Sequence, residues 1–520
     1  DLVVLLIAAV TGYASVFLLE IRWGELTPIL QIPAALIVVP LSASMLLLVF
    51  YAAERLLRAP RATVLTVGAV FAAILVIAAA TRPAWLPWFA GDGAIALALV
   101  LFFVTIFGGL PIGFALLLST AAYLWTADSV PMVALPQNMV DGTGNFVLLA
   151  LPFFILAGLV MERGGISLRL VRFVHALVGH LRGGLLHVMV LSMYLVSGLS
   201  GSKTADVAAV GSVMRDMLRK EGYDVSEGAA VLAASAAMGE TVPPSIAMLV
   251  LGSITTLSMA ALFIGGIIPA AVVAACLMAL IWLRARRAKA PVSRRAPVRT
   301  MVASGIAAIL PLLMPVILFA GILFGIATPT EVSSFAVVYG LILSCLVYRE
   351  LDVATFLRTV LDSAMLAGMV LFILGAASGF SWALTVAYLP QRLVDLLHGI
   401  NNSTVLFLIG SIALLIVVGS VLEGLPALII LAPLLLPIAG GIGLSELHYG
   451  IVLLIAMGTG AFLPPAGVGF YVACAIMRTD IESASRAMVP YLVVLIIALL
   501  IVAFVPWFTV FLPRALNLGG

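Results

Sequence analysis

The stretch "SGLSGSKTADVAAVGS" at residues 197–212 sets hydroxyls, glycines, a lysine and an aspartate into a chain that is 64% hydrophobic and only 9% charged. Four ionisable residues fall in interruptions of this kind: Lys203 and Asp206 here, Glu240 in "MGETVPPS" (238–245) and Glu423 in "GSVLEGLP" (419–426). A charge at membrane depth is costly and marks a substrate or ion pathway, unless it is neutralised in a structural pair such as Lys203 with Glu240. Ser197, Ser200, Ser202, Thr204, Thr241 and Thr459 add hydroxyl oxygens beside glycine- and proline-rich breaks. Breaks of this type expose backbone carbonyls, which suit a hard cation such as Na+, and half-helix N-termini, which suit a carboxylate. Taken singly, each hydroxyl more commonly packs one helix on another. Their clustering at the breaks is what points to a site.

The elements that carry these residues are helices crossing a membrane. A mean hydropathy of +1.28 over 520 residues excludes an ordinary soluble domain. Apolar stretches recur along the chain at lengths near the about 20 residues that cross a hydrocarbon core about 30 Å thick. Closed barrels show short alternating strands instead, so the fold class expected is an all-α polytopic membrane protein. The net charge of +3 sits mostly in loops and reports orientation, not nucleic-acid binding. Cys276, Cys345 and Cys474 lie in apolar segments and read as buried hydrophobes. The chain opens at Asp1 with no visible signal peptide and no methionine, so the natural protein is expected to begin earlier.

Segments 1–19 and 31–52 form a first pair, closed by the basic "ERLLRAPR" (54–61) on the cytoplasmic side; 63–81 then crosses outward to Trp85 and Trp88. Residues 92–127 hold two short spans joined by "GGLPIG", and the polar stretch 128–145 falls outside. Span 147–162 returns to 163–182, which carries Arg163, Arg169, Arg172 and Arg182. An apolar arm at 184–198 is too short to cross, and the following arm, 205–218, runs back to the basic "RDMLRKEGYD". Both ends are cytoplasmic by charge, which makes the pair a re-entrant hairpin with its tip near mid-bilayer. Span 226–254 is interrupted at 238–245, and 258–283 leads into "RARRAKAPVSRRAPVR" (284–299), fixed inside by its seven basic residues.

The second half repeats the first. "FFILAG" (153–158) recurs as "LFILGA" (371–376), Arg169-Leu170-Val171 as Arg392-Leu393-Val394, and Pro243-Pro244 as Pro464-Pro465, at offsets of 218 to 223 with order preserved. Five crossings per repeat, an odd number, turn the second copy upside down. A second hairpin, with arms 403–418 and 427–440, therefore enters from the outer side to meet span 447–473, broken at "GTGAFLPPAG" (458–467). Opposed hairpins and broken helices meeting at the midplane are where inverted-repeat secondary transporters bind substrate and ions.

Together, "SGLSGSKTADVAAVGS", "ETVPPS", "LEGLPALIILAPLLLP" and "GAFLPPAGVGFYVACAI" resemble the large membrane subunit of tripartite ATP-independent periplasmic (TRAP) transporters, over about residues 92–515. The resemblance implies an elevator-type ion-transporter fold in the bacterial cell inner membrane. It further implies a periplasmic substrate-binding protein as partner, an organic acid as substrate and Na+ as coupling ion, with no organic cofactor. Residues 1–58 look like the C-terminal part of the small subunit, and 59–91, with helix 63–81, like the connector of a fused form. Residues 92–300, with hairpin 184–218, and 301–520, with hairpin 403–440, are then the two repeats of the large subunit. Carried over by motif, one Na+ site uses Ser200 and Ser202 with Gly239, Val242 and Pro244. Its counterpart uses Gly419 and Glu423 with Thr459, Gly460, Leu463 and Pro465, and Asp206 and Glu423 hold or tune the two. Substrate contacts are expected from Ser197, Lys203, Thr204, Asp206, Glu240 and Thr241. The chain departs from common members at Lys203, Glu240 and Glu423, where a small residue, an apolar residue and often Asp are usual.

Two competing readings are weaker. "GLSG" (198–201) matches the G-x-S-G pattern of intramembrane serine proteases, but His175, His180, His187, His398 and His448 all lie away from tip depth, leaving no base, and no H-E-x-x-H exists. A stand-alone sodium/carboxylate symporter would not need the small-subunit remnant at 1–58. The charge asymmetry between the repeats predicts that single cysteines replacing Leu177 and Pro291 label only from the cytoplasm and one replacing Gly399 only from outside. Labelling of positions 177 and 399 from the same side would mean that the repeats are not inverted.

Overall fold

The computed structural model describes all residues except 29, 83–91, 128–129, 201–202, 288–294, 393–394, 396–402, 423 and 519–520; for 74, 75, 92, 199, 200 and 204 it describes the backbone alone. The described residues form helices joined by turns and loops, with one isolated β-bridge among them between Leu26 and Pro33. Among the described residues, twelve helical stretches are long and apolar enough to cross a membrane. The chain divides into two compact units, residues 1–144 with 370–393 and residues 145–369 with 394–520.

In the first unit, α1 (Leu2–Arg22) and α2 (Ala35–Arg58) form an antiparallel pair, followed by α3 (Arg61–Ala80), α4 (Asp92–Phe107), α5 (Ile112–Ala127) and α6 (Ala134–Thr143). Leu18 of α1, Val38 of α2 and Val140 of α6 share a buried cluster. Arg22 reaches Asp141 at 3.2 Å. α3 buries none of its most apolar stretch within the protein, the pattern of a helix surrounded by lipid. The helix α6 lies in a stretch that its polarity marks as a loop. Its apolar Leu135, Met139 and Val140, spaced one turn apart, are buried where α1 offers them a surface, and tertiary packing overrides a weak local signal.

The second unit begins with α7 (Ala150–Arg163) and the amphipathic α8 (Ile166–Val178), which buries Ile166, Leu170 and Val174 and exposes Arg172. The first hairpin is α9 (Gly184–Ser200) and α10 (Lys203–Lys220). The first interrupted span is α11 (Val225–Ala236), a 3-10 turn at Gly239–Thr241, and α12 (Ile246–Ile254). Then come α13 (Met259–Arg287), α14 (Val298–Leu323), α15 (Pro329–Leu341) and α16 (Val353–Val386), whose residues from Val370 belong to the first unit. The second hairpin is α17 (Thr404–Leu422) and α18 (Gly424–Gly441). The second interrupted span is α19 (Glu446–Ala461) and α20 (Val468–Met477), and α21 (Ile481–Phe504) and α22 (Trp507–Ala515) close the chain.

Local chemistry sets these boundaries. Asp224, Ser245, Ser445 and Asp480 cap α11, α12, α19 and α21 with side-chain oxygens that accept first-turn amides, and Thr328 with Glu331 forms a capping box on α15. Ion pairs fasten α7 and α8 to the start of the second repeat. Arg163 pairs with Asp362 and donates to Thr359 at 2.9 Å, and Arg169 reaches Glu350 at 2.7 Å while stacking on Tyr348.

The hairpins form where the alternation of apolar arms and small polar tips predicts them. The second interruption differs from expectation: α19 continues to Ala461, so Thr459 and Gly460 are helical and the unwound segment is 462–467. Glycine does not end this helix, because Gly458 and Gly460 supply close packing instead. A Cβ on Gly460 would lie 2.4 Å from the Ile416 carbonyl oxygen of α17, and one on Gly419 would lie 3.0 Å from the Met457 carbonyl oxygen. Gly460→Val should therefore force α17 away from α19, cost about 3 kcal/mol and lower the melting temperature. Gly410→Val, where nothing lies within 4 Å, should leave it unchanged.

Candidate functional site

Four segments of the second unit converge: the tip of the first hairpin, the first break, the tip of the second hairpin and the end of α19. The Gly198 backbone packs on the first break, where a Cβ would sit 3.2 Å from both the Pro243 carbonyl oxygen and Val242. The start of the first break also meets α19, since the Ala237 carbonyl oxygen lies 2.2 Å from where Gly458 would carry a Cβ. The proline pairs that interrupt the two spans, Pro243-Pro244 and Pro464-Pro465, each contain a cis peptide bond.

At the centre, Lys203 and Glu240 form an ion pair, with side chains 15% and 10% exposed. The contact is one of opposite charges rather than an aligned hydrogen bond. Lys203 opens α10, where a cation opposes the helix dipole, but its ammonium lies 3.7 Å from the Cβ position of Gly458 in the last turn of α19 and 5.8 Å from the centre of the Phe462 ring. A helix C-terminus and an aromatic face both favour a cation. Glu240 Oε1 lies 2.5 Å from where Gly424, the first residue of α18, would carry a Cβ. A helix N-terminus favours an anion. Each charge of the first repeat thus rests at the favourable helix end of the second.

Around this pair the expected residues fall as follows. Ser197 is buried, its hydroxyl 2.8 Å from the Cβ position of Gly239, and it has no hydrogen-bond partner among the described residues. Asp206 is buried in the first turn of α10. Thr241 is buried and donates to the Met238 carbonyl at 2.8 Å, and a Cβ on Gly266 of α13 would lie 2.5 Å from its own carbonyl oxygen, so that oxygen faces α13. Thr459 is buried and donates back to Ile455 at 2.8 Å. The Gly460 carbonyl accepts from Leu463 N–H at 2.9 Å, and the Leu463 carbonyl from Gly467 N–H at 2.7 Å. Ser202 and Glu423 lie outside the described residues, and of Ser200 and Thr204 only the backbone is described. The residues that sequence reasoning missed are Phe462, Gly424, Gly458 and Pro243. Their signal was present in motifs already marked as breaks, but which of them faces Lys203 or Glu240 depends on contacts between distant segments.

Chemically, the site offers hydroxyls, turn carbonyls, the Lys203–Glu240 pair and the buried carboxylate of Asp206. Among the described residues no three His, Cys, Asp or Glu side chains cluster as metal ligands. His187 Nδ1 is held by the Gly183 carbonyl at 2.9 Å; His448 is held by Thr509 at 2.8 Å and by the Ala503 carbonyl at 3.0 Å. Both rings are engaged by groups outside the "GLSG" segment. The arrangement is that of a polytopic secondary transporter, with paired hairpins and interrupted helices surrounding a site within the membrane.

Comparison with known proteins gives the family. Residues 99–508 match the family model described as "Tripartite ATP-independent periplasmic transporter, DctM component", and the chain belongs to this family. It is 34% identical over 398 residues to the 2,3-diketo-L-gulonate TRAP transporter large permease protein YiaN of Escherichia coli, covering 76% of this chain and 94% of the relative. It is 31% identical over 513 residues to the isethionate TRAP transporter permease protein DctMQ of Oleidesulfovibrio alaskensis, covering 97% of this chain and 80% of the relative. The YdaH transporter of Alcanivorax borkumensis, whose topology is described as unusual, shares the fold at a TM-score of 0.54 and 16% identity, over 71% of this chain and 87% of that one. The protein is a multi-pass inner-membrane TRAP permease that works with a periplasmic substrate-binding protein, and it is not an enzyme.

Because each charge neutralises the other in a nearly closed site, Lys203→Gln should destabilise the protein by about 3–5 kcal/mol through the orphaned Glu240 carboxylate. The double change with Glu240→Gln should recover much of that loss in a double-mutant melting cycle. Additive losses would show that the two side chains do not neutralise each other.

Proposed function

We propose that this permease couples inward movement of Na+ to uptake of an organic acid released by the binding protein, through an elevator-type displacement of the segments that carry the two hairpins. The observation that supports this reading is the convergence of both hairpins and both interrupted spans on the Lys203–Glu240 pair. One Na+ is held by Ser200, Ser202 and backbone carbonyls between Gly239 and Pro244. A second is held by Gly419, Glu423 and the segment from Thr459 to Pro465, with Asp206 tuning the first site. The unpartnered Ser197 hydroxyl and the Pro243 carbonyl directed at Gly198 supply the type of oxygen that a Na+ or substrate site needs. Ser197, Lys203, Thr204, Asp206, Glu240 and Thr241 supply the contacts to the substrate.

Residues 1–58 act as the small-subunit portion, 59–91 as the connector, and 92–300 and 301–520 as the two repeats of the large subunit. The match to a DctMQ permease across 97% of the chain supports a fused arrangement. Relatives whose names specify C4-dicarboxylate in Pseudomonas aeruginosa and sialic acid in Vibrio cholerae support an organic acid as cargo.

Uptake into proteoliposomes should require an inward Na+ gradient and a loaded binding protein, and Ser202→Ala should lower the apparent Na+ affinity. It should proceed without ATP, since no G-x-x-x-x-G-K-[ST] loop is present. Equal uptake with K+ replacing Na+ on both sides would remove the coupling assignment.

A further inference from the structure

The two repeats differ most at the point where they meet. Gly424 stands 221 residues after Lys203, and Ala461 stands 221 residues after Glu240, the same offset that relates Pro243-Pro244 to Pro464-Pro465. One repeat therefore places a cation and an anion where the other places a glycine and an alanine. A symmetric pair of breaks and hairpins would present similar ends to a ligand. The added ion pair makes the two ends chemically different.

On the basis of the function proposed above, we infer that Lys203 and Glu240 act as a two-ended charge filter. The Lys203 ammonium takes the carboxylate of the substrate and Glu240 takes a hydroxyl or ammonium donor of the same molecule. The permease itself then selects organic monoanions that carry a hydrogen-bond donor over dicarboxylates.

The argument is electrostatic. With side chains 15% and 10% exposed, neither charge can be left unpaired when the site fills. A ligand that separates the pair must replace the carboxylate at Lys203 and offer a donor to Glu240. A carboxylate with a neighbouring hydroxyl or amino group does both. A dicarboxylate satisfies Lys203 but sets its second carboxylate beside Glu240, a like-charge contact in a poorly solvated place. The helix ends sharpen the choice: the N-terminus of α18, which would otherwise attract a second carboxylate, is already met by Glu240. Gly424 and Gly458 leave the pair its place, since a Cβ on Gly424 would lie 2.5 Å from Glu240 Oε1 and one on Gly458 would lie 3.7 Å from the Lys203 ammonium.

The test is melting of the purified full chain in Na+ with three probes at equal concentration: glycerate, a monoanion with hydroxyl donors; propionate, a monoanion without one; and succinate, a dicarboxylate. Glycerate should stabilise most and succinate least. Glu240→Gln should shift the apparent preference toward succinate about tenfold, and Lys203→Gln should abolish the response to all three. Succinate binding the unmodified protein as well as glycerate overturns the filter with no variant needed, so a poorly folded Glu240→Gln protein does not block the test. An unchanged order of probes in a folded Glu240→Gln protein overturns it too, while leaving organic-acid transport standing. Silence of all three probes in the unmodified protein, together with no Na+-driven uptake from a loaded binding protein, removes the underlying reading and the filter with it.

Discussion

A charge removed from water must find an opposite charge, and the centre of the second unit is arranged around that constraint. Lys203 and Glu240 neutralise each other, and each also sits at a helix end whose partial charge suits it. This explains why the tips and interruptions come so close. A lysine at the start of α10 would be unfavourable alone; it is accommodated because the last turn of α19 and the Phe462 ring stand beside it. The glutamate is accommodated because α18 begins at a glycine, which leaves its carboxylate space at the helix N-terminus.

Glycine makes this convergence sterically feasible. At Gly458 and Gly460 the backbones of separate elements approach so closely that a Cβ would fall within 2.4 Å of a carbonyl oxygen. In a membrane, where apolar surface is everywhere, helices associate through such close packing and not through the exclusion of water. The same glycines serve two ends: they let the second hairpin lie on α19, and they leave the charged pair its place.

The outer parts of this unit follow simpler rules. Arg163 and Arg169 lie at helix ends, where long side chains reach carboxylates and aromatic faces near the boundary of the apolar layer, and they tie α7 and α8 to Asp362, Glu350 and Tyr348 of the second repeat. Serine and aspartate caps set the starts of α11, α12, α19 and α21. The site is therefore held by a frame whose element boundaries are specified locally and whose fastening is specified by charge.

The sequence by itself determined what rests on local composition and period: an all-helical, many-spanning chain, hairpin arms ending at "SGLSGSKT" and "GSVLEGLP", two interruptions at paired prolines, and a repeat at a nearly constant offset. These are legible because a membrane span is a run of apolar residues and its interruption is a visible departure from that run. Tertiary structure decided the rest. It extended α19 to Ala461, folded α6 within a polar stretch, brought Phe462, Gly424 and Gly458 against the central pair, and chose Glu240 as the partner of Lys203. Those choices depend on which distant segments touch, and a lysine's need for an anion does not say which anion meets it until packing sets the distance.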